Sequence, residues 1–356
     1  MIHISRSAVV TRKTCEMKRF WNYHATPFAG QTVPGIVPLT ASPRSELPKL
    51  RGQIFHEAAA RLFDGGDWQS YISEACRTLL HPDLFPDEQA VLVRRALLGW
   101  SVVRAEVLND YTVVSAEQEW VWPMAADVAQ TLRLDRVLRR KDDGTLAIFD
   151  FKTLKAPDPN WVERLQHSEQ THLYIQALRE RADEWVMGMI YDGLIIGSLD
   201  EQHHQKSPFV RAYRRKDGSW SAKYVPGTPA VTTCNWNDAE WLAWAQETGI
   251  LPDLYCTTGP LLPPTDHLIR TKQATVEGER RWALRLEELA SVQDDPEAYQ
   301  LAWDSLIERT PDACLKYGID YACPYHALCW QGAQPEPDAF TTREDHHALD
   351  TTPKRQ

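Results

Sequence analysis

Apolar residues between Leu50 and Phe63 recur at helical spacing, with Ile54, Phe55, Ala58, Ala59, Leu62 and Phe63 on one side. Asp64-Gly-Gly-Asp67 ends that helix, and two more are predicted near 68–80 and 87–108. The pattern then switches to strands: Val113 to Trp122, 130–140 and 145–152, the last two joined through the turn signal Lys141-Asp-Asp-Gly144. A helix near 160–182 and a strand from Trp185 to Ile196 follow. Beyond Gly197 the pattern predicts a hairpin over Phe209–Val225 that turns at Lys216–Ser219. A Trp-rich helix is expected near 237–248 and a long helical region over 275–309. At the start, Thr14 to His24 reads as a short helix with Cys15 in its first turn, followed by a Pro-rich connection (Pro27, Pro34, Pro38, Pro43, Pro48). After Trp330 no apolar period remains, and a disordered tail is expected.

At 356 residues, 43% hydrophobic and 25% charged, the chain has the composition of a soluble globular protein with a full core. It has no run of eighteen apolar residues and no basic-then-apolar leader, so no membrane span and a cytoplasmic location are expected. A net charge of −10 argues against a protein that coats nucleic acid by bulk electrostatics. Residues 1–56 are locally basic, with eight Lys/Arg against Glu16 and Glu46. That stretch is either a phosphate-contacting face or a solvated charged surface. Of the fourteen tryptophans, most are expected in the core, while some could stack bases.

The chemistry concentrates in residues 132–174. Asp135 lies in one strand, and Asp150 and Lys152 end the next. Residues two apart in a strand point the same way, so Asp150 and Lys152 share a face. A carboxylate and an ammonium at a strand end, opposite another carboxylate, suit a hard divalent ion, Mg²⁺ or Mn²⁺. Glu117 and Glu119 fall on one face of their strand; either could approach the metal or face solvent, and solvent or a place behind the metal ligands is preferred. Gln170 and Tyr174 lie one helical turn apart.

Asp135, Asp150-Phe-Lys152 and Gln170-x-x-x-Tyr174, preceded by Gly52-Gln-Ile-Phe-His56, resemble the PD-(D/E)XK nuclease superfamily in its RecB/AddB-type iron–sulfur exonuclease branch. The CRISPR-associated adaptation nucleases and phage exonucleases are similar. The resemblance implies an α/β fold: a restriction-endonuclease-like core, with a mixed central sheet flanked by helices, plus helical and iron–sulfur-closing additions. We place that core at 48–200, after an N-terminal segment at 1–47 and before a C-terminal region at 201–330 and a tail at 331–356. It also implies metal ligation by His56, Asp135, Asp150 and the Phe151 carbonyl. Lys152 then positions the attacking water or stabilises charge on phosphorus, and Gln170 and Tyr174 orient the substrate strand or Lys152.

Cys314-x8-Cys323-Pro-Tyr-x3-Cys329 groups three thiols that need a fourth ligand, for a zinc ion or a [4Fe–4S] cluster. His326 offers it locally and Cys15 from the far end of the chain. The resemblance implies Cys15 and an iron–sulfur cluster, although eight residues separate Cys314 from Cys323 where the family pattern has two. Such a cluster closes a loop of about 300 residues and contributes to folding.

The expected activity is exonucleolytic hydrolysis of DNA, favouring single-stranded ends, in phage or bacterial recombination or repair. The chain lacks a G-x-x-x-x-G-K-[ST] motif, so it acts alone or receives ends from a helicase or recombinase partner. The alternative is an iron–sulfur or zinc DNA-binding subunit with an inactive nuclease fold.

Overall fold

The computed structural model describes residues 1–24, 35–38, 43–154, 160–195, 207–221, 230–308, 310, 323, 325, 328–329, 335–336 and 340–342. Cys314 and His326 lie outside them. The chain forms two compact units from interleaved segments. One comprises Met1–Thr40, Glu119–Arg133 and Thr265–Gln356, the other Ala41–Gln118 and Leu134–Pro264. The units are therefore not successive stretches of sequence.

In chain order the first elements are β1 (Ile2–Ser5), α1 (Arg6–Thr14), α2 (Glu16–Tyr23) and β2 (Ile36–Pro38). Next come α3 (Pro43–Phe63), α4 (Trp68–Leu79), α5 (Pro86–Val103) and α6 (Ala105–Asp110). The strands β3 (Tyr111–Ala116), β4 (Glu119–Pro123), β5 (Val128–Arg133), β6 (Arg136–Arg140) and β7 (Leu146–Leu154) follow. Then come α7 (Trp161–Gln166), α8 (Glu169–Ala182), β8 (Val186–Ile195), β9 (Arg211–Arg214), β10 (Trp220–Ser221) and β11 (Ala230–Thr232). The chain continues through α9 (Asp238–Glu247), β12 (Tyr255–Leu261), α10 (Thr265–Ser291), α11 (Pro296–Leu306) and β13 (Phe340–Thr342).

The unit that contains Ala41–Gln118 is built on a five-stranded sheet in the order β12-β8-β7-β6-β3. Only β7 and β8 run parallel; the other pairs are antiparallel. This is the mixed sheet flanked by helices that the α/β expectation requires, with one edge strand, β12, from beyond the 48–200 span. A parallel pair needs a crossover, and α7 and α8 supply it. Strand alternation sends Phe149 and Phe151 to the side of α3 and α5, where they meet Phe55 and Trp100 in the main core. Asp150 and Lys152 point to the opposite face.

Several breaks differ from the simple pattern. The strand expected over 113–122 divides at Glu117, which has φ +50°, and its halves β3 and β4 join different sheets. The 130–140 strand likewise divides before Asp135. The helix expected over 160–182 is interrupted at Ser168, whose hydroxyl accepts from the Thr171 amide and caps α8. The hairpin at Lys216–Ser219 is present as β9 and β10. Phe340–Thr342, in the tail expected to be disordered, pairs antiparallel with Ile36–Pro38.

In the other unit, β1 and β4 flank β5, and α10 packs on β1 and β5. Cys15, Met17, Phe20, Trp282, Tyr325, Leu328 and Cys329 share an apolar cluster, with Cys323 packed against it. The basic N-terminal stretch is partly consumed inside the protein. Arg19 meets the fully buried Glu279 through two contacts of 2.9 and 2.8 Å, and Arg12 Nε approaches the same carboxylate at 3.0 Å. In the second unit, Arg51 is buried and donates to Gln89 Oε1 at 2.6 Å. These three guanidinium groups do not form a phosphate-binding face. No described helix is long and apolar enough to cross a membrane.

Removing one partner of a buried ion pair leaves the other charge unsolvated. Glu279→Ala is therefore expected to destabilise the protein by about 3 kcal/mol or more, read by urea unfolding. A change below about 0.5 kcal/mol, the size of an ordinary surface substitution, contradicts the assignment.

Candidate metal centre

Each side chain of the site is placed by a local feature of the sequence. His56 sits on α3 beside Phe55, within a run whose Ile54, Ala58 and Ala59 are fully buried and fix the helix against the sheet. Phe55 packs edge-on against Phe151, with ring centroids 5.2 Å apart. Arg136 locks the same junction from β6. Its guanidinium is fully buried, donates to the His56 carbonyl at 3.2 Å, and lies over the rings of Phe63 and Phe151 at 4.8 and 5.1 Å.

Asp135 precedes β6. Its Oδ2 accepts from the Phe151 amide at 3.1 Å and lies 3.1 Å from His56 Nδ1. Glu117 completes the group: its Oε1 is 3.7 Å from His56 Nδ1, and its amide donates to the Asp135 carbonyl at 3.0 Å. The left-handed backbone at Glu117 is strained for a residue with a side chain, a feature that recurs at functional sites. Among the described residues, His56, Glu117 and Asp135 are the one group of three or more His, Cys, Asp or Glu whose donor atoms lie within 4.8 Å of each other.

Asp150 lies beside this group but is held differently. It is almost fully buried; Oδ1 accepts from Gln170 Nε2 at 3.1 Å, and Oδ2 is 2.5 Å from Lys152 Nζ. Gln170 reaches it from the first turn of α8. Tyr174 lies one turn further along and is buried. Of the residues named from the sequence, the structure thus brings His56 and Asp135 together as one donor group, and Asp150, Lys152 and Gln170 together as a second, adjoining one.

Glu117 is the residue that the pattern of the strand misplaced. A continuous strand over Val113–Trp122 lets either glutamate approach the metal but favours solvent or a place behind the metal ligands. The left-handed turn brings it to the donor group instead. No local signal marks that turn, since Ser115-Ala116-Glu117-Gln118 carries no glycine, proline or asparagine.

The electrostatics show the crowding of negative charge. Burial works against a charged His56, but Asp135 and Glu117 outweigh it and push the imidazole up to about 9. Burial also disfavours charge on Asp135, yet His56, Lys152 and the Phe151 amide hold its carboxyl below the usual range. Asp150 goes the other way: burial, then the charge of Asp135, raise it to about 7 against the pull of Lys152. Two carboxylates and an imidazole, with a third carboxylate adjoining, form a hard donor set that calls for a cation and fits Mg²⁺ or Mn²⁺. The His56 proton meets part of that need in the metal-free protein.

A family model for the PD-(D/E)XK nuclease superfamily matches residues 3–329, and the chain belongs to that superfamily. No curated protein matches it. Membership makes it a metal-dependent nuclease, with DNA as its substrate.

The raised values of His56 and Asp150 give a signed pH dependence. A group whose value is raised by folding contributes stability below its unfolded value and loses it as pH rises through the folded one. Asp150 acts between 3.8 and about 7, and His56 between 6.5 and about 9, both in the same direction. The melting temperature of EDTA-treated protein is therefore expected to fall as pH rises from 6.5 to 9. His56→Gln should flatten that upper part, and added Mn²⁺ should restore stability most at the alkaline end, where no proton need be displaced. A pH-independent melting temperature contradicts this picture.

Proposed function

We propose that this member of the superfamily is a Mg²⁺- or Mn²⁺-dependent exonuclease that trims DNA from single-stranded ends. The observation that carries the reading is the joining of two groups at one sheet end. A His56–Glu117–Asp135 donor set stands beside an Asp150–Lys152–Gln170 chain. The first group is suited to a cation and the second presents an ammonium, the pair of charges that phosphodiester hydrolysis requires.

When bound, the divalent ion supplies positive charge to the scissile phosphate and lowers the pKa of water. His56, Glu117 and Asp135 are the residues that would hold it, with Asp150 and the Phe151 carbonyl as further ligands. His56 would hold it as the neutral imidazole, and the Phe151 amide keeps Asp135 oriented. Lys152 positions the nucleophilic water or offsets charge developing on the phosphate oxygens. Asp150 holds the Lys152 ammonium, and Gln170 holds Asp150 from the other side. Tyr174, buried one turn along the same helix, orients the substrate strand or Lys152.

Cys15, Cys323 and Cys329 support the reading of a [4Fe–4S] cluster, with Cys314 as the fourth ligand. Cys15 and Cys329 are buried in one apolar cluster with Cys323 against it, although they come from opposite ends of the chain. The three sulfurs do not form a group within 4.8 Å of each other. The family resemblance, not the sulfur spacing, favours the iron–sulfur cluster over zinc. Its role is structural: it fixes the two chain ends. The reading places the protein in the cytoplasm, in phage or bacterial recombination or repair. DNA ends are delivered there by a helicase or recombinase.

The test uses anaerobically purified protein and end-labelled single- and double-stranded DNA with Mg²⁺, Mn²⁺ or EDTA. Metal-dependent loss of nucleotides from the single-stranded end is expected. Lys152→Ala should lower the rate by about 10²-fold or more while binding DNA normally in Ca²⁺. Internal cuts in a circular substrate would argue against the exonuclease, and full activity of Lys152→Ala would remove Lys152 from the mechanism. Cys323→Ser is expected to lose the brown iron–sulfur absorption; an unchanged colourless wild type would contradict the cluster.

A further inference from the structure

Lysine carries its charge on a flexible four-carbon stem, so a productive Lys152 must be held in place by its surroundings. Asp150 supplies one contact, at 2.5 Å. A second comes from the neighbouring strand. Lys152 Nζ lies over the ring of Tyr191, 5.5 Å from its centroid, within the range where a ring face attracts an ammonium. Tyr191 stands opposite Asp150 in the parallel register of β7 and β8, so both project from the same face of the sheet. Opposite Lys152 itself is Gly193, where an added Cβ would stand 2.7 Å from Leu154 Cδ1. The nearest atom to such a Cβ is Cys256 Sγ, at 2.5 Å, so the position is crowded by β12 and Leu154.

The ring is itself fixed. Tyr191 is fully buried, and its hydroxyl shares a hydrogen bond of 2.9 Å with Thr171 Oγ1. Thr171 is buried in the first turn of α8, next to Gln170, and its hydroxyl also bonds the Leu165 carbonyl at 2.5 Å. The Tyr191 amide donates to Thr258 Oγ1 on β12 at 3.1 Å. The ring that faces Lys152 and the amide that holds Asp150 are thus anchored to the same helical turn.

We infer that Tyr191 is a positioning residue for Lys152: its ring face and the Asp150 carboxylate together set where the ammonium stands. The inference rests on the nuclease reading for its catalytic consequence, but not for the placement itself. Tyr191 as mere core packing makes a different prediction. Phenylalanine keeps the aromatic face and loses the hydroxyl; leucine keeps apolar bulk and loses the face.

The experiment compares wild type, Tyr191→Phe and Tyr191→Leu as full-length, metal- and cluster-loaded protein. For cleavage of end-labelled DNA, Tyr191→Leu is expected to lower kcat about ten-fold with KM changed less than about two-fold. Tyr191→Phe should stay within about three-fold of wild type. Equal losses in both variants, or an unchanged Tyr191→Leu, overturn the inference. Tyr191→Met replaces leucine if that variant does not fold. A second readout needs no activity: lysines are reductively methylated with ¹³C, and the Lys152 signal is identified by its absence in Lys152→Arg. An upfield ring-current displacement is expected in wild type and Tyr191→Phe, and its loss in Tyr191→Leu. No displacement in wild type overturns the placement. Inactive wild type that keeps the displacement rejects the nuclease reading and leaves the placement standing.

Discussion

Asp135 and Asp150 stand close enough at one end of the central sheet that the charge of the first raises the proton affinity of the second. Glu117 adds a third carboxylate beside Asp135 and His56. Like charges gathered in a partly buried place are costly unless cations or protons offset them. The surroundings supply three offsets: a protonated His56, the Lys152 ammonium and the buried Arg136 guanidinium. This repulsion explains why α3 is tied so firmly to β7 through Phe55, Phe151 and Arg136. Any slack there would separate His56 from Asp135 and leave the carboxylates uncompensated. It also explains why a divalent cation is the natural occupant, since two positive charges answer the crowding better than one proton.

The same arrangement divides the work by face and by strand. Alternation along β7 sends Phe149 and Phe151 into the core and Asp150 and Lys152 to the side of α8. The Phe151 amide nevertheless returns to the site by holding Asp135. One short strand therefore supplies core packing, an acid, an ammonium and a ligand-orienting hydrogen bond. The other unit carries different burdens: the buried Glu279 with its two arginines, and the thiols from both ends of the chain.

Much of this is written locally in the sequence. The spacing of Asp150 and Lys152 requires a shared face in any strand, and Gln170 reaches Asp150 from α8, part of the crossover between β7 and β8. The mixed sheet is implied by the family resemblance and not by alternation, which fixes no strand order or direction. What local pattern does not encode is where alternation stops. Glu117 turns inward only because its backbone adopts a left-handed conformation, and nothing in Ser115-Ala116-Glu117-Gln118 announces it. The β12 edge strand contains Gly259 and Pro260, residues that disguise a strand, and its place depends on pairing with β8. Arg12 and Arg19 read as a basic surface because their partner, Glu279, lies some 260 residues away.

The most direct test of the central claim is an anomalous difference map from a crystal soaked in Mn²⁺. The account predicts a peak within bonding distance of His56 Nδ1, a Glu117 carboxylate oxygen and an Asp135 carboxylate oxygen, with Lys152 still on Asp150. A map with no peak among those three donors, or with manganese held only by other residues, would contradict it.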